Sequence, residues 1–127
     1  MQPTIFTDVD SRMRIAQEEV FGPVLSVIGF DAEDDAVTIG NDVIYGLAAG
    51  VWTRDIGRAV RMSKALKAGV VWVNTYRAYS ALVPIGGMKQ SGVGRECGVE
   101  AVHGFLETKS VMIATAGVAP NSVMLQR

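Results

Sequence analysis

Apolar residues in this chain fall into short runs separated by polar and glycine-rich stretches, and each run has either strand length or a helical period. Thr4–Thr7 predicts a short strand, and Arg12–Glu19 predicts a short helix or turn ended by Gly22-Pro23. Val24–Phe30 (VLSVIGF) is an apolar run enriched in Val and Ile, the signature of a strand. Asp31 then offers an N-cap, with Glu33, Asp34 and Asp35 in the first turn, where negative charge meets the positive end of the helix dipole. That helix is expected to run to about Gly40 or Asn41. Ala48–Thr53 reads as another strand, and Asp55 caps the next helix. Ile56, Ala59, Val60, Ser63 and Leu66 fall at helical spacing, with Arg58, Arg61 and Lys64 largely off that face and Gly69 as the expected C-cap. Val70–Asn74 (VVWVN) is apolar on both faces and predicts a central strand. A long glycine-rich irregular region follows, to about Gly98. Val99–Glu107 then predicts a helix, Ser110–Thr115 a last strand, and the residues from Ala116 a polar, extended tail. Strands alternating with helices define an α/β chain in which helices cover a sheet.

Composition narrows the function classes. The chain has 127 residues, 49% of them apolar and 20% charged, which fits one folded domain or a piece of a larger one and excludes a disordered chain. Twelve basic residues against thirteen acidic ones leave no basic surplus for nucleic acid or an anionic membrane. One cysteine and one histidine cannot build a His/Cys zinc site, and a lone cysteine makes no internal disulfide. No metal site is expected. The N-terminus has no basic region followed by a long apolar run, and the best apolar stretch, Val43–Trp52, is too short to span a bilayer. A soluble, cytoplasmic protein is the expectation.

The segment Gly86-Gly87-Met88-Lys89-Gln90-Ser91-Gly92-Val93-Gly94-Arg95 invites a phosphate-loop reading and fails it. It contains no Gly-Lys pair, and Gly92, Gly94 and Gly98 are spaced one residue too far for a dinucleotide fingerprint. A loop whose glycines allow positive φ or close backbone approach is the alternative. Cys97 and His103 suggest a structural thiol and a packing or surface histidine, since no neighbour in sequence would generate a thiolate. The Asp31–Asp35 run reads as a solvated helix start.

Five ordered stretches carry a resemblance. Glu18-Glu19-Val20-Phe21-Gly22-Pro23-Val24 and Pro84 through Gly98 closely resemble the C-terminal part of the NAD(P)-dependent aldehyde dehydrogenase family, and Pro3–Val9, Tyr45–Thr53 and Gly69–Asn74 agree in order and spacing. The resemblance covers residues 3 to about 114. It implies a partial three-layer α/β/α catalytic domain lacking the dinucleotide-binding half, with residues 1–109 in that domain and 110–127 as an oligomerisation strand and tail. In the family a cysteine thiolate attacks the aldehyde, hydride passes to the nicotinamide, and a glutamate-activated water releases the acid. The Gly-Gln-x-Cys and Glu-Leu-Gly-Gly settings of that cysteine and glutamate do not occur in this sequence. The chain therefore resembles the last quarter of such an enzyme: a truncated gene product, a proteolytic remnant or a deliberately partial chain.

The resemblance also assigns roles. Glu19 matches the carboxylate that accepts hydrogen bonds from the nicotinamide-ribose hydroxyls, and Phe21 the aromatic packed on that ribose. From the residues alone they read as a helix carboxylate and a core aromatic. Glu96 matches a proton-relay glutamate, or else is a charge at a helix start. Arg77, Tyr79 and Ile85 match positions lining the substrate tunnel. Arg77 either attracts an anionic group on the aldehyde or faces solvent, and the position of Ile85 is commonly aromatic in the family. Pro84 and Gly86-Gly87 shape the turn of that wall, and Lys89 has a structural role. The implied cofactor is NAD or NADP, held weakly or not at all by this chain alone. The implied partners are an aldehyde in the complete enzyme and further copies of the chain. Three functions are in play: an aldehyde dehydrogenase fragment inactive alone, a split-enzyme subunit needing an N-terminal partner, and a non-catalytic oligomerisation or interaction module.

Overall fold

The computed structural model describes residues 1–113. Its elements in chain order are β1 (Thr4–Phe6), α1 (Arg14–Gln17), β2 (Val24–Ser26), α2 (Glu33–Asn41), β3 (Tyr45–Gly46), β4 (Ala48–Val51), α3 (Ile56–Ala65), β5 (Val70–Val73), β6 (Met88–Lys89) and α4 (Glu100–His103). The strands form three pairs: β1 parallel to β2, β4 parallel to β5, and β3 antiparallel to β6. Parallel pairing needs a crossover, which α1 supplies for the first pair and α3 for the second.

The β4–α3–β5 unit holds most of the core. Ala48 to Val51 register with Val70 to Val73, and α3 packs on both strands. Val51, Ala59, Met62 and Trp72 are buried there, while Val9 is buried beside the first strand pair, where its amide donates to the Val27 carbonyl at 3.2 Å. Trp72 donates its indole N–H to the Ala78 carbonyl at 2.9 Å, which gives a buried polar group its partner. Asn74, at φ 52°, prolongs the pair with its side chain: Oδ1 accepts from the Thr53 amide at 2.9 Å and Nδ2 donates to the Thr53 carbonyl at 2.8 Å.

The structure corrects several expectations. Among the described residues β5 has a partner on one side only, so the expected central strand stands here in a two-stranded pair. The buried stripe of α3 is Ala59 and Met62 with half-buried Leu66, whereas Ile56 is 79% exposed. The 3.6-residue period was right and its phase was not, because Met62 faces the sheet and Ile56 lies off that row. Asp55 does cap α3, accepting from the Arg58 amide at 3.1 Å, but the helix ends at Ala65 with Leu66 as C-cap, short of Gly69. The N-cap of α2 is Ala32, not Asp31, because Asp35 reaches back to accept from the Ala32 amide at 3.0 Å. The second strand stops at Ser26 and α4 at His103. Ser110–Ile113 is exposed and forms no strand, because no segment of the described chain pairs with it. Ala114, Thr115 and the expected extended tail lie outside the described residues.

The glycine-rich region folds into a clasp that the sequence pattern did not show. Tyr45 pairs with Lys89 and Gly46 with Met88, the Gln90 amide donates to the Ile44 carbonyl at 3.0 Å, and Ser91 Oγ accepts from the Gly46 amide at 2.9 Å. Arg95 closes the loop by donating to the Gly87 and Gly94 carbonyls at 2.8 and 2.7 Å. The backbone approaches are too close for a side chain. A Cβ on Gly69 would sit 1.6 Å from the Gly86 carbonyl oxygen, and one on Gly46 2.5 Å from that of Lys67.

Candidate functional site

Glu19 and Phe21 leave the C-terminal end of α1 in an irregular segment that returns to the sheet at Val24, beside Thr4. Arg14 pairs with Glu18 across one helical turn, Nε to Oε1 at 2.8 Å and Nη2 to Oε2 at 2.9 Å. The Arg14 guanidinium holds the Glu18 carboxyl below its usual range. The neighbouring carboxylate of Glu19 is exposed and has no hydrogen-bond or ion-pair partner among the described residues. Phe21 has φ 52°, a conformation that costs an L-aromatic residue about 1–3 kcal/mol, and its side chain is 93% exposed. Both line an open cavity of about 430 Å³ with Ile15, Val20, Leu25 and Ile28 among its walls. The structure thus brings these two predicted residues together, and it presents Phe21 outward, not in a core.

The other predicted residues lie around the glycine-rich region. Ile85 and Glu96 pair through their backbones: each amide donates to the other's carbonyl, at 2.7 and 2.6 Å. The side chain of Ile85 is half-buried, and Glu96 is exposed. Tyr79 and Tyr76 set their edges against Trp72, with ring centroids 5.7 and 5.4 Å away. Arg77, at φ 57°, carries its guanidinium carbon 5.7 Å from the centre of the Tyr76 ring. The anchored Trp72 indole therefore fixes the Tyr76–Tyr79 loop, so Arg77 and Tyr79 belong to one loop and Ile85 and Glu96 to another. None of the four lines the cavity of Glu19 and Phe21.

Lys89 has the structural role expected of it, and the structure supplies the detail: Nζ donates to the Asn41 and Val43 carbonyls at 2.9 and 2.8 Å. Sequence reasoning missed Gln17, whose amide nitrogen reaches the Asp42 carbonyl at 2.6 Å. Its place two residues before Glu19 was the only signal. Cys97 is half-buried at φ 58°. Among the described residues no group of His, Cys, Asp and Glu could hold a metal ion, and no helix is long and apolar enough to cross a membrane.

The fold is an α/β chain built from two parallel strand pairs and a glycine clasp, and it sets a carboxylate and an outward aromatic on one open cavity. The chain belongs to the aldehyde dehydrogenase family, whose sequence profile matches residues 1–111. It is 52% identical over 111 residues to an aldehyde dehydrogenase of Aspergillus niger, covering 87% of this chain and 22% of that protein. It is 51% identical over 118 residues to the fluoroacetaldehyde dehydrogenase of Streptantibioticus cattleyicolor, covering 93% and 23%. The fold matches the crystal structure of betaine aldehyde dehydrogenase from Staphylococcus aureus in complex with NAD+, with a TM-score of 0.88, 48% identity, and 94% of this chain against 24% of that one. The chain thus spans less than a quarter of the length of these relatives.

Proposed function

We propose that this chain is the C-terminal part of an NAD(P)-dependent aldehyde dehydrogenase, which oxidises an aldehyde to a carboxylic acid, and that alone it is inactive. In this reading residues 1–109 belong to the catalytic domain and 110–127 form an oligomerisation strand and tail. The observation that carries it is the pairing of Glu19, with no partner among the described residues, and Phe21, strained and 93% exposed, on one open cavity. The residues fit a ribose. A carboxylate is acceptor-only and takes two hydroxyl donors, while an outward ring offers a flat apolar face to the sugar. When bound, NAD(P)+ supplies the hydride acceptor. Glu19 holds the ribose by its hydroxyls, and Phe21 fixes how deep the sugar seats.

The remaining roles follow the sequence resemblance. Arg77, Tyr79 and Ile85 line the substrate tunnel, Arg77 offering a cation to an anionic aldehyde and Ile85 an aliphatic wall. Glu96 relays a proton leaving the site. Its backbone pairing with Ile85 supports this, because it ties the relay to the tunnel wall. The nucleophile and general base belong to the rest of the enzyme, as neither of their motifs occurs in the 127 residues. We place the protein in the cytoplasm and expect it to be a homo-oligomer in which the exposed Ser110–Ile113 segment pairs with a second copy.

The test is a chimera in which residues 1–111 replace the matched segment of the Aspergillus niger enzyme. It is expected to oxidise aldehydes with NAD+ or NADP+, whereas the 127-residue chain alone forms no NADH. A folded chimera that binds neither dinucleotide would refute the reading, and so would aldehyde-dependent NADH formation by the chain alone.

A further inference from the structure

The turn between α2 and β3 is a crossing point of three side chains, which tie it to α1, to the end of α3 and to the clasp. Lys89, in the clasp, donates from Nζ to the carbonyls of Asn41 and Val43 at 2.9 and 2.8 Å. The carbonyl between them, that of Asp42, accepts from the Gln17 side chain at 2.6 Å. The same Gln17 nitrogen donates to the Ser11 carbonyl, which ties the last residue of α1 to the turn that precedes the helix. Asn41 in turn locks the end of α3, its Nδ2 donating to the Ala65 carbonyl at 2.9 Å and its Oδ1 accepting from the Lys67 amide at 2.8 Å. Three consecutive carbonyls, 41 to 43, thus receive donors from residues 48, 25 and 46 positions away along the chain.

Gln17 is the last residue of α1, and Glu19 is two residues further on. Without Gln17, α1 is tied to its surroundings chiefly by the Ser26 hydroxyl, which donates to the Ile15 carbonyl at 3.2 Å. A four-residue helix has no stability of its own, so where its end lies depends on such ties. Lys89 holds its φ at 52°, which aims it from a two-residue strand straight at the turn.

We propose that Lys89 and Gln17 are positioning residues that set the Glu19–Phe21 segment through the 41–43 turn, so that the glycine clasp and the cofactor-holding carboxylate move as one body. The proposal rests on the reading of Glu19 and Phe21 as the ribose-holding pair. Lys89 touches neither residue. It fixes the Asn41 and Val43 carbonyls, these fix the Asp42 carbonyl, and that carbonyl holds the end of the helix from which Glu19 emerges.

Hydrogen exchange on the 127-residue chain tests the linkage. Lys89→Met keeps length and removes the donors, Gln17→Glu keeps shape and replaces the donor with an acceptor, and Lys89→Arg restores donors. Lys89→Met is expected to speed exchange roughly three- to tenfold at the amides of residues 41–45 and 17–21, the effect of losing one hydrogen-bonded anchor. Lys89→Arg should return both segments towards the parent rate. Adding Lys89→Met to Gln17→Glu should leave residues 17–21 no faster than in the single variants, because the linkage is already cut. The amides of β4 and β5 are the internal control. Faster exchange confined to residues 41–45, effects on residues 17–21 that multiply in the double variant, or an equal rise across β4 and β5 would each overturn the proposal.

The chimera supplies the second arm. Lys89→Met should raise KM for the dinucleotide several-fold with KM for the aldehyde unchanged, and Lys89→Arg should rescue it. If Glu19→Gln raises that KM and Lys89→Met does not, the positioning role is wrong. If neither variant moves it while the exchange linkage holds, the reading of Glu19 fails instead.

Discussion

Gly69→Ala should unfold the clasp, and the structure says why. The new methyl carbon would lie 1.6 Å from the Gly86 carbonyl oxygen and 2.7 Å from its carbonyl carbon. Both are backbone atoms, so no rotamer change relieves the clash. Restoring an ordinary contact of about 3.4 Å means moving one chain by about 1.8 Å. That shift breaks the bond from the Gly69 amide to the Gly46 carbonyl, 3.0 Å, and the neighbouring bond from Val70 to Leu47, 3.2 Å, which open the β4–β5 ladder. Overpacking costs about 1–3 kcal/mol and two backbone hydrogen bonds about 1 kcal/mol each, for a total of roughly 3–5 kcal/mol. Against a urea dependence of about 1–3 kcal/mol per molar, the midpoint should fall by at least about 1 M, or the variant should be unfolded in water. Trp72, buried in β5, reports the transition by its fluorescence. Gly29→Ala is the control: a Cβ there meets nothing within 4 Å, and the substitution should be neutral or stabilise by about 0.4–1 kcal/mol through the unfolded chain. A Gly69→Ala midpoint within about 0.3 M of the parent would refute the steric argument, since it would correspond to less than about 1 kcal/mol.

Four further outcomes are expected. In the chimera, Glu19→Gln should slow single-turnover hydride transfer about 10- to 150-fold, the equivalent of one charge-assisted hydrogen bond of about 1.5–3 kcal/mol; an unchanged rate counts against the ribose role. The hydrogen bonds from Arg61, and secondarily from Arg58, lower the Glu33 carboxyl from its ordinary 4.5, so the stability this group contributes is present above that value and is lost as pH falls through the folded-state value. Urea midpoints measured from neutral to acid pH should therefore decline less steeply in Glu33→Gln than in the parent, and identical slopes would remove the Arg58–Glu33–Arg61 link from the account. Cys97→Ala should leave aldehyde turnover by the chimera intact, and a total loss would make this half-buried thiol part of the chemistry. Light scattering at micromolar concentration should find the 127-residue chain associated, with Val111→Lys and Ile113→Lys reducing the mass; a clean monomer, or a mass those changes do not alter, would show that the Ser110–Ile113 segment pairs with no second copy.

The part of the fold that was legible in the sequence is the part made locally. Asp55 before an amphipathic stretch gives a capped helix, and VVWVN gives a strand, because each signal lies within a few residues of its consequence. The clasp was not legible for the opposite reason. Its partners are main-chain carbonyls and amides some 45 residues apart, as in Gln90 to Ile44, and a two-residue strand has no period to detect. The glycines of the segment signalled positive φ or close backbone approach without saying where, and Gly69 and Gly46, which lie outside it, serve by absence of bulk, which only the approaching backbone reveals. The phase of α3 misled because hydropathy ranks Ile56 and Val60 above Ala59, while burial follows the direction of the sheet.

The site divides along the same line. Nothing periodic marks Glu19 or Phe21, and their roles were readable only through resemblance. What the structure adds is physical: a carboxylate without a partner among the described residues beside one that has an arginine, and an aromatic ring held outward in a conformation it does not favour. A ring kept 93% exposed at φ 52° gains nothing from the fold that contains it. The same holds for Ile56, 79% exposed on a helix whose other face is buried, and for Val111, Met112 and Ile113, all more than 70% exposed. Such side chains are closed over by whatever covers them, and among the described residues the buried apolar side chains are Val9, Val51, Ala59, Met62 and Trp72. These outward apolar residues are the surface that the association predicted above would cover, and Glu19 with Phe21 is the pair that the proposed ribose would occupy.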